Sequence, residues 1–358
     1  MRVDQWLPAA HRGDAIGDEA IRIRDALGRR GYDGDIYALD VDEEALSDVR
    51  PFDSRVRRSP SDVTLLHFAL PSPLTRAFAE TDTKKILIYH NITPAEHFLG
   101  IDAELARMAY LGRRELKSLS DVTDMALGDS EFNRAELVEL GFPPERTGVL
   151  PILLDFTPYL EDRAETVMDE MLSDGRPNFL FVGRVYPNKK FEDLARLAFF
   201  YKKYVSEDFR FLLVGKAGRM QRYQDAVQAL ADRWGLVPSE FLFTGHLSWE
   251  DLLACYACAD VFVSMSEHEG FAVPLVESML MELPVLAYEA GAVPDTLAGA
   301  GVTFREKNFE ELAEMAQVLV TEKSVRQSLV TAGRTRVERF APSRVEEELV
   351  CFVTEVCS

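Results

Sequence analysis

The sequence predicts an α/β chain of two doubly wound domains facing a cleft. Short β-type apolar runs alternate with helical patterns along the whole length, and the alternation restarts after a strand-free stretch beginning near residue 156. In the second half the runs end in glycine followed by a basic or polar residue, as in Gly183-Arg184, Gly215-Lys216 and Gly245-His246. A chain of 358 residues also exceeds what one hydrophobic core usually organises.

The elements follow in order. "MRVDQWL" is the first strand signal, and "AIRIRDALGRRG" places Ile21, Ile23, Ala26 and Leu27 near one helical face before the strand "DIYAL". "VTLLHF", "KKILIYH", "DMALGDS" and "TGVLPILL" continue the strand series. Helices are expected at "PLTRAFAE", "DAELARMAYLGRRELKSLS" and "NRAELVELG". "FTPYLEDRAETVMDEMLSDGRPN" has no strand signal and reads as a linker, which sets the domains at 1–155 and 156–340. The second domain then shows five strand signals, "NFLFVGRV", "FRFLLVGKA", "EFLFTGHL", "DVFVSMSE" and "LPVLAYEAG", with helical patterns between them. Residues 341–358 form an amphipathic helix.

Composition narrows the class. With 47% hydrophobic and 28% charged residues the chain is globular, and its apolar runs are strand-sized, far short of a membrane span. The N-terminus lacks the apolar core of a secretory signal, so a cytoplasmic protein is expected. Sixty acids against forty Lys and Arg give a formal charge of −20, which disfavours nucleic acid as a partner and allows at most peripheral attachment to an anionic membrane. Of the four cysteines, Cys255 and Cys258 share one helix face, and no second pair has structural-zinc spacing, so free thiols are expected. The D-x-D pairs Asp33/Asp35 and Asp40/Asp42 abut acidic turns and read as solvated loops, not metal ligands.

The chemistry concentrates in "SEHEGFAVPLVESMLMEL". Pro274 suits the start of a helix whose free N–H groups point back at Gly270, Phe271 and Ala272, a site favourable to phosphate. Glu277 is expected in the first turn, where it could merely complement the helix dipole. Glu269 could be an exposed loop acid. Acids beside a phosphate site also suit a ligand that carries hydroxyls as well as phosphates. "FVGRVYPNKKFEDL" supplies Arg184 and Lys189, a bidentate and a compact cation able to neutralise a diphosphate.

"GRVYPNKK", "LLVGKA", "FTGHL" and "ADVFVSMSEHEGFAVPLVESMLMELPVLAYEAGAVPD" resemble the donor domain of retaining family-4 glycosyltransferases of GT-B fold, two Rossmann-like domains. The shared pattern is glutamate, seven residues, glutamate, preceded by Gly-Arg and Lys. "HRGDAIGDEAIRIRDALGRRGYDGDIYA", "IYHNITP" and "LGDSEFNRAELVELGF" are similar to the acceptor domain. The resemblance implies that Arg184 and Lys189 bind the donor diphosphate, that the amides of Gly270, Phe271 and Ala272 meet donor phosphate or sugar, and that Glu277 holds the ribose. It makes Glu269 and His90 the catalytic pair near the sugar, and places Asp14, Ile16 and Gly17 on the acceptor side. The C-terminal helix is expected to cross back onto the first domain. Ala272, Lys190 and Ala290 stand where the family often has glycine, a departure that bears on sugar fit.

The implied activity moves a hexose from GDP-mannose or a UDP-sugar to a glycan, glycolipid or small-molecule acceptor. No cofactor or metal is expected, since fixed cations and a helix start would stabilise the leaving diphosphate. A sugar-nucleotide epimerase or phosphorylase, or a non-catalytic nucleotide-sugar-binding subunit, are the rival readings. A dinucleotide dehydrogenase is disfavoured because "GDAIGD" is not G-x-G-x-x-G.

Overall fold

The computed structural model describes residues 1–10, 15–42, 47–53, 59–161 and 163–358. The chain divides into two units. One comprises Met1–Leu99, Ala103–Asp155 and Phe340–Ser358; the other comprises Gly100–Asp102 and Phe156–Arg339.

In the first unit, strands β1 (Val3–Ala10), β2 (Ile36–Val41), β3 (Val49–Pro51), β4 (Val63–Phe68), β5 (Lys84–Tyr89), β6 (Met125–Gly128) and β7 (Thr147–Val149) form one parallel sheet ordered β3-β2-β1-β4-β5-β6-β7. Helices α1 (Ala15–Arg29), α2 (Pro73–Glu80), α3 (Ala103–Lys117) and α4 (Glu131–Glu139) connect them. β4 is buried at every residue, as expected of a strand covered on both faces. The strand order reverses between β1 and β4, so the carboxyl ends there open a crevice onto which α1 begins.

The second unit opens with α5 (Thr157–Leu160) and α6 (Val167–Leu172), where the sequence suggested a linker. α6 is nucleated by a capping box, in which the Thr166 side chain accepts from a backbone N–H and the Asp169 side chain reaches back to the Thr166 N–H. β8 (Asn178–Val182), β9 (Arg210–Val214), β10 (Phe241–Gly245), β11 (Val261–Ser264), β12 (Val285–Tyr288) and β13 (Val302–Phe304) form a second parallel sheet, ordered β10-β9-β8-β11-β12-β13. Helices α7 (Phe191–Tyr204), α8 (Gln221–Arg233), α9 (Trp249–Cys258), α10 (Val273–Leu280), α11 (Val293–Leu297), α12 (Phe309–Thr321) and α13 (Lys323–Val337) complete it. Here the order reverses between β8 and β11.

Strand ends pack tightly at that reversal. Gly215 has φ +152°, and a Cβ there would lie 2.0 Å from the Gly183 carbonyl oxygen, so only glycine lets the β9 turn pass against the β8 turn. Cys255 and Cys258 are free thiols on α9, and burial pushes Cys255 up to about 12. Of the D-x-D pairs, Asp35 is bound by Arg2 at 2.7 Å and Arg50 at 3.0 Å, and Asp40 belongs to β2, not to a loop. Among the described residues no helix is long and apolar enough to cross a membrane.

α14 (Pro342–Cys357) returns to the first unit. Its Val345, Leu349, Val353 and Val356 join Ile23 and Leu27 of α1 and Ile86 and Ile88 of β5 in one apolar cluster. Leu349→Ala should cost about 3 kcal/mol through lost burial and the cavity left behind, whereas exposed Glu347→Ala should change stability by under about 0.5 kcal/mol, both read from urea midpoints. Equal effects would show that α14 is not part of this core.

Candidate functional site

The second unit gathers most of its candidate residues at the reversal between β8 and β11. β8 runs out into Gly183 and the exposed Arg184, and a 3-10 turn at Pro187–Lys189 leads to α7. Asn188 ties this turn to the loop after β11. Its carbonyl accepts from the Glu267 N–H at 2.7 Å, and its side-chain Nδ2 donates to the His268 carbonyl at 3.0 Å. With the loops clamped, Lys189 Nζ reaches both Glu269 carboxylate oxygens at 2.6 Å. The side chains are 20% and 10% exposed, so this is a largely sheltered ion pair whose members need each other.

A third loop closes on Glu269 from behind. The Ala292 N–H donates to the Glu269 carbonyl at 2.8 Å. Gly291, at φ +55°, comes so near that a Cβ would stand 2.3 Å from that same oxygen. Glycine is therefore needed at 291, beside the alanine at 290 that the sequence comparison singled out.

The other two departures from family glycines are backbone features. Lys190 has φ +55° and Ala272 φ +66°, both left-handed, and each is the residue immediately before a helix. A residue with a Cβ costs about 1 kcal/mol more than glycine in that conformation. The turns are strained because the sequence supplies side chains where the geometry favours none. Gly270, buried Phe271 and Ala272 carry the chain from Glu269 into α10, and the Phe271 carbonyl accepts from Thr296 Oγ1 at 2.6 Å.

Glu277 does not lie in the first turn of α10. The helix starts at Val273, which places Glu277 fifth, pointing inward and buried. Its carboxylate accepts from Tyr159 Oη at 2.5 Å and Tyr256 Oη at 2.6 Å. Burial pushes its pKa up, and the two hydroxyl bonds oppose that shift. Neither tyrosine stood out in the sequence. Tyr159 falls in the stretch read as linker, and its ring packs edge-on against Trp249 at 5.2 Å.

In the first unit His90 follows β5 and is a hub of buried polar groups. Its Nδ1 lies 3.1 Å from Asp129 Oδ2 and 3.7 Å from Glu19 Oε2, and its Nε2 lies 2.9 Å from His67 Nδ1. His67 Nε2 in turn meets Gln5 Oε1 at 2.9 Å. Burial raises Glu19 from the ordinary 4.5 to about 7, raises Asp129, and lowers His67. Because the folded state holds the Glu19 proton more tightly than the unfolded chain does, this carboxyl's contribution to stability falls as pH rises from about 4.5 to about 7. Ile16 and Gly17 lie in the first turn of α1, Ile16 packed against the Leu7 and Ala10 cluster and Gly17 buried. Asp14 lies outside the described residues. Asn91, next to His90, is left-handed at φ +70°, and its amide donates to Asn133 and Glu136 at 2.8 Å. The "YHN" signature thus contains a structural residue.

Glu19, His67 and His90 bring three ligand-type atoms within 4.8 Å of one another. The 2.9 Å between the two imidazoles is a hydrogen-bond length. Nitrogens sharing a tetrahedral zinc lie about 3.3 Å apart, so the cluster as folded holds protons better than a metal.

Residues 176–322 match the family model described as "Glycosyl transferases group 1". Over that segment the chain carries a group 1 glycosyltransferase domain. The matched segment contains Arg184, Lys189, Glu269 and Glu277. Over 317 residues, 80% of its length, the glycosyltransferase is 27% identical to a GDP-mannose-dependent alpha-mannosyltransferase of Mycolicibacterium smegmatis, covering 78% of that protein. It is 30% identical over 193 residues to a protein of the same description from Mycobacterium tuberculosis, covering 54% of this chain and 45% of the relative. Its fold matches Anabaena Alr3699/HepE, solved in complex with UDP-glucose, with a TM-score of 0.77 at 16% identity over 99% of this chain and all of the other. The fold is GT-B.

Lys189→Met should lower the stability of the glycosyltransferase by about 2–3 kcal/mol, because it strands a sheltered carboxylate, and adding Glu269→Gln should restore most of that loss. Urea unfolding of the single and double variants measures it. A small loss that Glu269→Gln leaves unchanged would contradict the pairing.

Proposed function

We propose that this glycosyltransferase moves a hexose from a nucleoside diphosphate sugar, with GDP-mannose the first candidate, to an acceptor hydroxyl with retention at the anomeric carbon. The acceptor is a glycan, glycolipid or small molecule of a cytoplasmic biosynthetic route. The names of the two mannosyltransferase relatives support the donor. The observation that carries the reading is the Lys189–Glu269 pair clamped at the sheet reversal of the second unit, eight residues before the buried Glu277.

In this reading the donor's diphosphate meets Lys189, Arg184 and the amide-bearing start of α10. Glu277, already held by two tyrosine hydroxyls, accepts from the ribose, and Glu269 accepts from the sugar hydroxyls. As the bond from the anomeric carbon to the diphosphate breaks, its electron pair leaves with the phosphate oxygen, and the fixed cations stabilise that charge without reorganising. Glu269 makes a poor nucleophile because both its oxygens are bound to Lys189. Same-face attack by the acceptor hydroxyl follows, and its proton passes to the departing phosphate oxygen. His90, Ile16 and Gly17 are assigned to the acceptor-side unit. No metal or cofactor is assigned a role.

Nucleotide release from a panel of GDP- and UDP-sugars, with acceptors from cell extract and excess EDTA, tests the proposal. One donor should be consumed, the product anomer should match the donor, and Arg184→Ala should lower kcat/KM about 100-fold. Loss of turnover in EDTA, inversion, or a fully active Arg184→Ala would overturn the corresponding part.

A further inference from the structure

The polar chain through His67 has a direction that its end fixes. Gln5 Nε2 donates to the Ala20 carbonyl at 2.9 Å, and a backbone carbonyl can only accept, so the amide oxygen of Gln5 is the atom that faces His67. An amide oxygen also only accepts. His67 Nε2, 2.9 Å away, therefore carries its proton. His67 is wholly buried and touches His90, which already faces the two nearby carboxyls, so a second cation there is costly: His67 stays neutral and its Nδ1 is a bare lone pair. His90 Nε2 must then be the donor across the 2.9 Å contact. The remaining proton bridges His90 Nδ1 and Asp129 Oδ2, with Glu19 Oε2 3.7 Å from the same nitrogen. Among the described residues, Glu19 Oε2 and Asp129 Oδ1 are buried with no hydrogen-bond partner of their own, which leaves acceptor capacity on the Nδ1 side of His90.

We infer that Gln5 and His67 are positioning residues that lock His90 as an Nε2–H donor, so that every change of protonation in this cluster occurs on its Nδ1 side, among His90, Asp129 and Glu19. This deepens the proposed function and rests on it only for the kinetic consequence: His90 contributes a fixed charge distribution and a fixed ring orientation, and exchanges no proton with a substrate. Among the described residues, charged groups facing the cluster include Glu19 and Arg22 from α1 and Asp129 from the end of β6, with His67 and Gln5 supplied by β4 and β1. Burial, which raises Glu19 and Asp129 and lowers His67, acts in the same sense as that division.

Histidine nitrogen spectra of the full chain labelled with 15N test the lock without requiring turnover. His67 should show a protonated Nε2 and a bare Nδ1 from about pH 5.5 to about pH 8.5, and His90 should keep Nε2–H throughout, with shifts confined to Nδ1. A His67 that titrates, or one carrying its proton on Nδ1, would overturn the inference whether or not a donor has been found. In kinetics, His67→Asn, whose side-chain oxygen can stand where Nδ1 accepts, should retain kcat within about threefold, while His67→Leu should lose about tenfold in kcat with KM little changed. A merely space-filling His67 predicts the reverse order, because leucine suits a buried site better than asparagine does. If no donor is turned over by the wild type, the proposed function fails while the spectra still decide the lock.

Discussion

The second unit depends on one constraint: three loops must meet at Glu269. Asn188 ties the loop after β8 to the loop after β11, Lys189 neutralises the carboxylate, and the Ala292 amide with the Cβ-free Gly291 holds its backbone from the far side. None of these contacts is local in sequence. A parallel sheet brings all its loops to one edge, and the reversal of strand order between β8 and β11 leaves room there for charge. The two left-handed residues, Lys190 and Ala272, are where the chain turns sharply enough to start α7 and α10 at that edge. Strain of about 1 kcal/mol at each is small against the burial achieved by the aromatic core behind them.

The first unit solves the opposite electrostatic problem. Lys189 and Glu269 balance one charge with one charge, whereas two buried carboxyls share the single imidazole of His90. Two ionised acids cannot both be sheltered there at low cost, so burial holds a proton that water would remove. His67 and Gln5 extend the network to the carbonyl of Ala20 and so give it one direction. α14 closes the apolar layer around β5, the strand that delivers His90, which couples the last residues of the chain to this cluster through packing.

Much of this was legible in the sequence, and the reasons are physical. Buried parallel strands are continuous apolar runs, so β4, β5, β8 and β9 announce themselves, and the α/β class with them. β3 and β13 escaped because "VRP" and "VTF" are three-residue edge strands, too short for any period. The helices within the stretch read as a linker went unseen because α5 and α6 are short and set by Pro158 and a capping box, not by an apolar stripe. Lys189, Glu269 and Glu277 could be singled out because spacing around a glycine and a proline is a local signal. Their partners could not. Tyr159 reaches Glu277 from 118 positions away, and His67 reads as an unremarked histidine in an apolar strand until β5 is laid beside it.

On the proposed reading, the clamped loops of the second unit form a diphosphate site in which Lys189 is shared between Glu269 and the ligand. Calorimetric titration of wild type and Lys189→Ala with GDP and with GMP tests it most directly. The wild type should prefer the diphosphate by about tenfold or more, and the preference should fall toward unity in the variant while GMP binding persists. An unchanged GDP-to-GMP preference in a folded Lys189→Ala protein would contradict it.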